Sequence, residues 1–192
     1  SEMVLVTTSG LGTDPARRPV DCSRRTLMSQ LDRSLDRMRT DHVDVWLTQA
    51  WDPLTPVEET VGALVWAVES GRTRYVGVSN HVGWQLARTM TLLAEAGVPL
   101  VADSVEYSLV ERSAETGLVD AADHCGVGLL PWSPLGRGVL AGRYRDTVPA
   151  DSRLASQEFS RFGARHVGQH TRGTVDAVRT AAKGLGLAPA VV

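Results

Sequence analysis

Short apolar runs of strand length recur along the chain at Met3 to Thr7, Val43 to Leu47, Tyr75 to Val78, Leu100 to Ala102 and Val127 to Leu130. Between them, apolar residues fall at helical spacing. Ser23 to Met38 carries Leu27, Leu31, Leu35 and Met38 at steps of four and three, the stripe of a helix lying on a sheet, with Asp21 or Ser23 as its cap. Pro56 to Ser70 predicts a second helix, capped by Thr55, with Pro56 and two glutamates in its first turn and Gly71 at its end. Val82 to Glu95 and Ser113 to His124 read the same way, closing at Gly97 and Gly126. Repeated alternation of strand and helix predicts an α/β fold with parallel strands and crossover helices, either an open doubly wound sheet or a (β/α) barrel. Gly138 to Gln169 breaks the rhythm and is long for a connection. Arg172 to Gly184 then returns to helical spacing through Val175, Val178 and Ala182.

Composition narrows the function classes. A chain of 192 residues that is 43% hydrophobic is expected to form a single domain over 1–192. A net charge of −2 offers no basic field for phosphate backbones, so no nucleic-acid partner is expected. Lys183 is the only lysine, which confines lysine chemistry to one position. Cys22 and Cys125 stand alone, so neither a zinc site nor a disulfide framework is indicated, and a reducing, cytoplasmic setting is expected. No apolar run is long enough for a membrane span, and both ends of the chain look cut.

The candidate chemistry sits where strands end, the edge at which ligands bind in parallel α/β folds. Ser79 and Asn80 close the strand at Tyr75 to Val78 and could meet a planar amide; the alternative is that one of them caps the helix from Val82. Trp132 follows Pro131 and could stack on a flat ring, and Ser133, Leu135, Gly136, Arg137 and Gly138 read as an anion loop, or else as a turn beside a buried tryptophan. The five histidines are scattered without metal-ligand spacing, and Asp44 and Asp52 are spaced as a strand and its loop. No metal site and no Ser-His-Asp arrangement is expected.

Five segments taken in order, Thr40 to Trp46, Glu58-Glu59-Thr60, Ser70 to Asn80, Val105 to Leu109 and Trp132 to Gly138, resemble the aldo-keto reductase superfamily, in particular its bacterial, potassium-channel β-subunit-like branch. The resemblance implies a (β/α)8 barrel of TIM type, here incomplete, with about five βα units corresponding to strands three to seven. Missing segments or an oligomer would then complete the sheet. It also implies reduction of a small-molecule carbonyl compound with NADP(H) by an Asp, Tyr, Lys and His tetrad. The Asp and Tyr positions lie outside this sequence, Thr8 stands at the Lys position and Gln49 at the His position. On the cofactor side it implies that Ser79 and Asn80 hold the nicotinamide carboxamide, that Trp132 stacks on the ring, and that Ser133, Leu135, Arg137 and Gly138 line the pyrophosphate. Ser104 falls where the family has a Gln that also holds the carboxamide. The replaced tetrad keeps a second reading open, a pseudoenzyme serving as a binding or regulatory protein, or a non-redox enzyme reusing the pocket.

Overall fold

The computed structural model describes residues 3–12, 14, 16, 18–144, 148–156, 159 and 164–192. Five strands, β1 (Val6–Ser9), β2 (Val43–Thr48), β3 (Thr73–Ser79), β4 (Leu100–Glu106) and β5 (Gly128–Trp132), lie in one sheet in that order. The registered pairs β1–β2, β2–β3 and β3–β4 are all parallel. Helices α1 (Arg24–Met38), α2 (Val57–Glu69), α3 (Gly83–Glu95) and α4 (Leu118–Cys125) alternate with them, and α5 (Gln169–Leu185) follows later. This is the expected α/β architecture of (β/α)-barrel type, with neighbours in sequence also neighbours in the sheet. Contacts group the chain into two compact units, residues 1–105 with 114–130, and residues 106–113 with 131–192.

In the first unit, strand alternation divides the side chains. Trp46, Thr48, Val76 and Val78 face the helices, where Trp46, Val76 and Val78 are fully buried with Leu27, Leu31, Leu64, Leu86 and Leu93. Trp46 also satisfies its indole N–H by donating to Ser9 Oγ at 2.9 Å. Val45, Leu47, Gly77 and Ser79 point to the opposite side, in register with β1 and β4. The β3–β4 register slips between Val76 and Gly77, a local irregularity that sets Ser79 opposite Ser104. In the second unit, Val175 and Val178 of α5 pack on Val139, Leu140, Tyr144 and Leu154.

Several boundaries differ from the sequence reading. β1 begins at Val6, not Met3, because Met3 and Val4 are exposed and the strand instead runs on to the buried Ser9. The helix expected from Ser113 breaks into a short 3-10 turn and α4, since Gly117 at φ 92 interrupts it. Neither Asp21, Ser23 nor Thr55 caps as expected: the N-cap residues are Ser23 for α1 and Pro56 for α2, and neither makes a side-chain capping bond. Asp21 Oδ1 accepts from Ser23 N–H, Arg24 N–H donates to Glu59 Oε1, and the Thr55 hydroxyl goes to Asp52. Of the long connection after Gly138, residues 145–147, 157, 158 and 160–163 lie outside the described residues.

Candidate functional site

The carboxyl ends of β2, β3 and β4 bring four of the expected residues together. Gln49 leaves β2 with its N–H donating to Ser9 O at 2.7 Å. Asn80 leaves β3 at φ 56, donates from Nδ2 to Gln49 O at 2.9 Å, and donates its own N–H to Ser104 O at 2.9 Å. Ser79 is in register with Ser104. Thr8 lies opposite Leu47 on β1, exposed. The capping alternative for Ser79 and Asn80 fails: α3 starts at Gly83, and the Val82 N–H donates to Gln85 Oε1.

Ser79 Oγ is the distinctive atom of this group. The side chain is 2% exposed and its hydroxyl has no hydrogen-bond partner. An orphaned buried hydroxyl costs about 1–3 kcal/mol, so its retention at a strand end calls for an explanation, and a ligand polar group is one. Ser104 Oγ donates to Leu130 O at 3.2 Å and keeps lone pairs with which to accept.

Asp103, next to Ser104, is fully buried with both carboxylate oxygens unpartnered. Burial pushes its carboxyl up to about 7; the backbone amides of His81 and Asn80 draw it down, although neither meets it at hydrogen-bond geometry. His81 is buried too, and burial pushes its imidazole down to about 4, against a backbone hydrogen bond to Ser79 O that raises it. Trp51 packs edge-on against His81 at 5.5 Å and against Trp84 at 5.1 Å.

Asp52, spaced as a loop residue, is the polar hub behind the first unit's strand ends. Its Oδ2 accepts from Cys22 N–H (2.9 Å), Thr55 Oγ1 (2.7 Å) and Arg18 Nη2 (2.8 Å), and Oδ1 accepts from Leu54 N–H (3.0 Å). Burial alone would raise its carboxyl; the hydrogen bonds from Cys22, Thr55, Leu54 and Arg18 outweigh that and hold it below the usual carboxylate range. The Cys22 thiol, pushed up to about 12 chiefly by burial, is an inert thiol rather than a nucleophile.

The second unit carries the remaining expected residues. Trp132 ends β5, and the Arg137 guanidinium lies 5.4 Å from its ring centroid. Gly136 N–H donates to Ser133 O and Gly138 N–H to Leu135 O, so those two amides close turns within the loop. Gly138 sits at φ 97 with Tyr144 3.0 Å from where a Cβ would stand, which accounts for glycine there. Ser133 (φ 54) and Arg137 (φ 59) hold the same left-handed backbone without that freedom. Among the described residues, four non-glycine residues have positive φ, and Asn80, Ser133 and Arg137 are three of them, so backbone strain is concentrated on the expected site residues.

Glu106, part of a quoted segment but given no role by the sequence, is the charge partner of this loop. It is 7% exposed and takes Arg137 through both oxygens, Nε at 3.0 Å and Nη2 at 3.2 Å. Arg165 Nη2 donates to Glu106 Oε2, and His166 Nε2 lies 3.3 Å from Oε1. Burial opposes the charge, but these three partners hold the Glu106 carboxyl below its ordinary range. Glu106, Glu111 and His166 could geometrically surround a cation, and in this structure Arg137 and Arg165 pair with the two carboxylates. Asp52, His81, Asp103 and Glu106 were missed as functional or structural hubs because type and spacing carry no sign of burial.

The chain matches the Aldo/keto reductase family over residues 1–192. It is 36% identical over 154 residues to L-glyceraldehyde 3-phosphate reductase of Escherichia coli (strain K12), covering 80% of this chain and 44% of that protein. It is 34% identical over 173 residues to a probable voltage-gated potassium channel subunit beta of Oryza sativa subsp. japonica, covering 86% of this chain and 51% of that one. An uncharacterized oxidoreductase of Bacillus subtilis (strain 168) is 36% identical over 138 residues, 68% of this chain and 41% of its own length. The chain thus spans about half the length, or less, of these curated relatives.

Proposed function

The chain belongs to the aldo/keto reductase family, and from that premise we propose that it forms the nicotinamide-binding part of an NADP(H)-dependent oxidoreductase acting on a small carbonyl compound. The observation that carries this reading is the buried, partnerless hydroxyl of Ser79, set beside Asn80, Ser104 and Gln49 at the carboxyl ends of three parallel strands. An amide offers both a donor and an acceptor, and a serine hydroxyl can answer either. When bound, NADPH would supply the hydride. Ser79 and Ser104 would orient the carboxamide, and Asn80 would add its carboxamide oxygen while its nitrogen braces Gln49. Taken by itself, the second unit keeps the residues that the resemblance assigns to ring stacking, Trp132, and to the pyrophosphate, Ser133, Leu135, Arg137 and Gly138, with Arg137 held by Glu106.

Gln49 can donate a hydrogen bond to a carbonyl oxygen but carries no charge, and Thr8 supplies none either, so nothing at those two positions lowers a proton donor's pKa as a cation would. That observation favours a second reading, in which the site binds nucleotide without redox turnover and the protein acts as a binding or regulatory partner.

Titration with NADPH, followed by quenching of tryptophan fluorescence, tests the first reading. Saturable quenching is expected, with Ser79→Ala weakening the apparent affinity by about tenfold through loss of one hydrogen bond. A folded chain that shows no saturation, or a Ser79→Ala variant that binds as tightly as the parent, would overturn the assignment. Saturable binding without carbonyl-dependent oxidation would support the second reading.

A further inference from the structure

Asp103 lies on β4 in register with Val78, one residue before Ser104, which is itself in register with Ser79. Alternation sends its carboxyl to the helix side of the sheet, while Ser79 and Ser104 point the other way. Two facts single it out. It is 0% exposed, and neither of its oxygens meets a hydrogen-bond partner. The backbone amides of His81 and Asn80 nevertheless stand near enough to draw the carboxyl down. Those amides belong to the turn that leaves β3. The Asn80 N–H donates to Ser104 O at 2.9 Å, and among the described residues the N–H of the buried His81 makes no hydrogen bond. An orphaned donor thus stands beside an orphaned acceptor.

We propose that Asp103 is a positioning residue for the ligand site at Ser79 and Asn80, acting through the amides of Asn80 and His81 according to whether its carboxyl is neutral or ionised. The arrangement seen suits the neutral acid. Asn80 keeps its N–H on Ser104 O and, at φ 56, holds Gln49 O through its side chain. A carboxylate in the same place is a buried charge without a donor, and the nearest donors are the two amides. Ionisation draws in the His81 N–H first, since that amide gives up no bond, and then competes with Ser104 O for the Asn80 N–H. Closing those contacts offsets part of the cost of burial and shifts the turn, together with the Ser79 and Asn80 side chains on it. The proton goes to solvent, and no other group changes charge. Burial places the change at about pH 7. No charged side chain contributes to that value, and the titratable ring in the turn, His81, is lowered to about 4 and stays neutral throughout this range. The effect on affinity rests on the reading of Ser79 and Asn80 as carboxamide-binding residues; the movement of the turn does not.

Two measurements test this on the parent chain and on Asp103→Asn, which is neutral at every pH. In ¹H–¹⁵N spectra the His81 and Asn80 amides of the parent are expected to move together with a midpoint near pH 7, and to show no such step in the variant. By tryptophan quenching, the parent's apparent affinity for NADPH is expected to fall about tenfold from pH 6 to pH 8, as the neutral fraction drops from about ten in eleven to about one in eleven. The variant meets the same ligand, so the ratio of parent to variant removes any titration of NADPH itself. A carboxyl with a merely structural role lowers the unfolding midpoint in alkali and leaves that ratio constant. Amides that do not titrate in the parent, or that titrate alike in both chains, overturn the proposal, as does a constant ratio. Amides that titrate in a parent that binds no NADPH at any pH support Asp103 as the residue that sets the turn and overturn the cofactor reading instead.

Discussion

Asp103→Asn is expected to stabilise the folded chain at pH 8 by up to roughly 4 kcal/mol, the energy by which burial separates a carboxyl near 7 from its ordinary 3.8. The sign follows from proton counting. Because the folded pKa is raised, the folded state keeps a proton that the unfolded chain has lost between pH 3.8 and 7. That contribution is whole below pH 3.8, declines as pH rises, and is gone above 7, where the charged carboxylate is buried with no hydrogen-bond partner. Asn is neutral at every pH, so variant and parent should diverge from about pH 4 upwards and reach their full difference above 7.

His81 makes the comparison sharper. Its folded pKa is lowered from 6.5 to about 4, so the stability it brings is whole above 6.5 and is lost as pH falls towards 4. Between pH 4 and 6.5 the two slopes oppose each other, and the parent chain should show a nearly flat stability profile. Removing the Asp103 carboxyl leaves the histidine slope alone, so the variant's stability should climb with pH across that window. Urea denaturation at pH 4.5, 6 and 8 checks both statements; parallel profiles for parent and variant would mean that Asp103 is solvated in solution.

The second large effect concerns Asp52. Asp52→Ala should destabilise the chain by roughly 3 kcal/mol, since one substitution strands the Cys22 and Leu54 amides and the Thr55 hydroxyl and takes from Arg18 the nearer of its two carboxylates, with Asp21 remaining at 3.3 Å. Arg18 is about one-third exposed, which keeps the figure at the low end for a buried charge partner. The parent's own pH dependence carries the opposite sign from that of Asp103. A lowered carboxyl contributes above its ordinary pKa and is lost as pH falls through it, so the gap between parent and Asp52→Ala should narrow in acid. Denaturation at pH 7 and pH 3 measures both; a change below 1 kcal/mol at pH 7 would show that solvent replaces those bonds.

How far the sequence leads can be judged from particular residues. Alternating apolar runs and helical stripes place every strand and helix of the first unit, because period and glycine punctuation are local properties that packing then reinforces. The errors fall where tertiary context decides. Met3 and Val4 look like strand residues but are exposed, and Gly117 looks like part of a helix but turns left-handed. Ser79 and Asn80 were legible from the strand end they close, whereas Gln49 and Ser104 followed only from the family resemblance; the structure puts all four at the ends of neighbouring parallel strands. Asp103, Asp52, His81 and Glu106 were not legible, because their behaviour depends on burial and on partners up to sixty positions away, as with Glu106 and His166.

Asn80, Ser133 and Arg137 share the left-handed backbone that favours glycine. Glycine at any of them would relax the backbone there, but at Asn80 and Arg137 it would also remove the bond to Gln49 O and the fork that holds the buried Glu106. Local backbone ease and long-range anchoring therefore pull two of these positions, Asn80 and Arg137, in opposite directions.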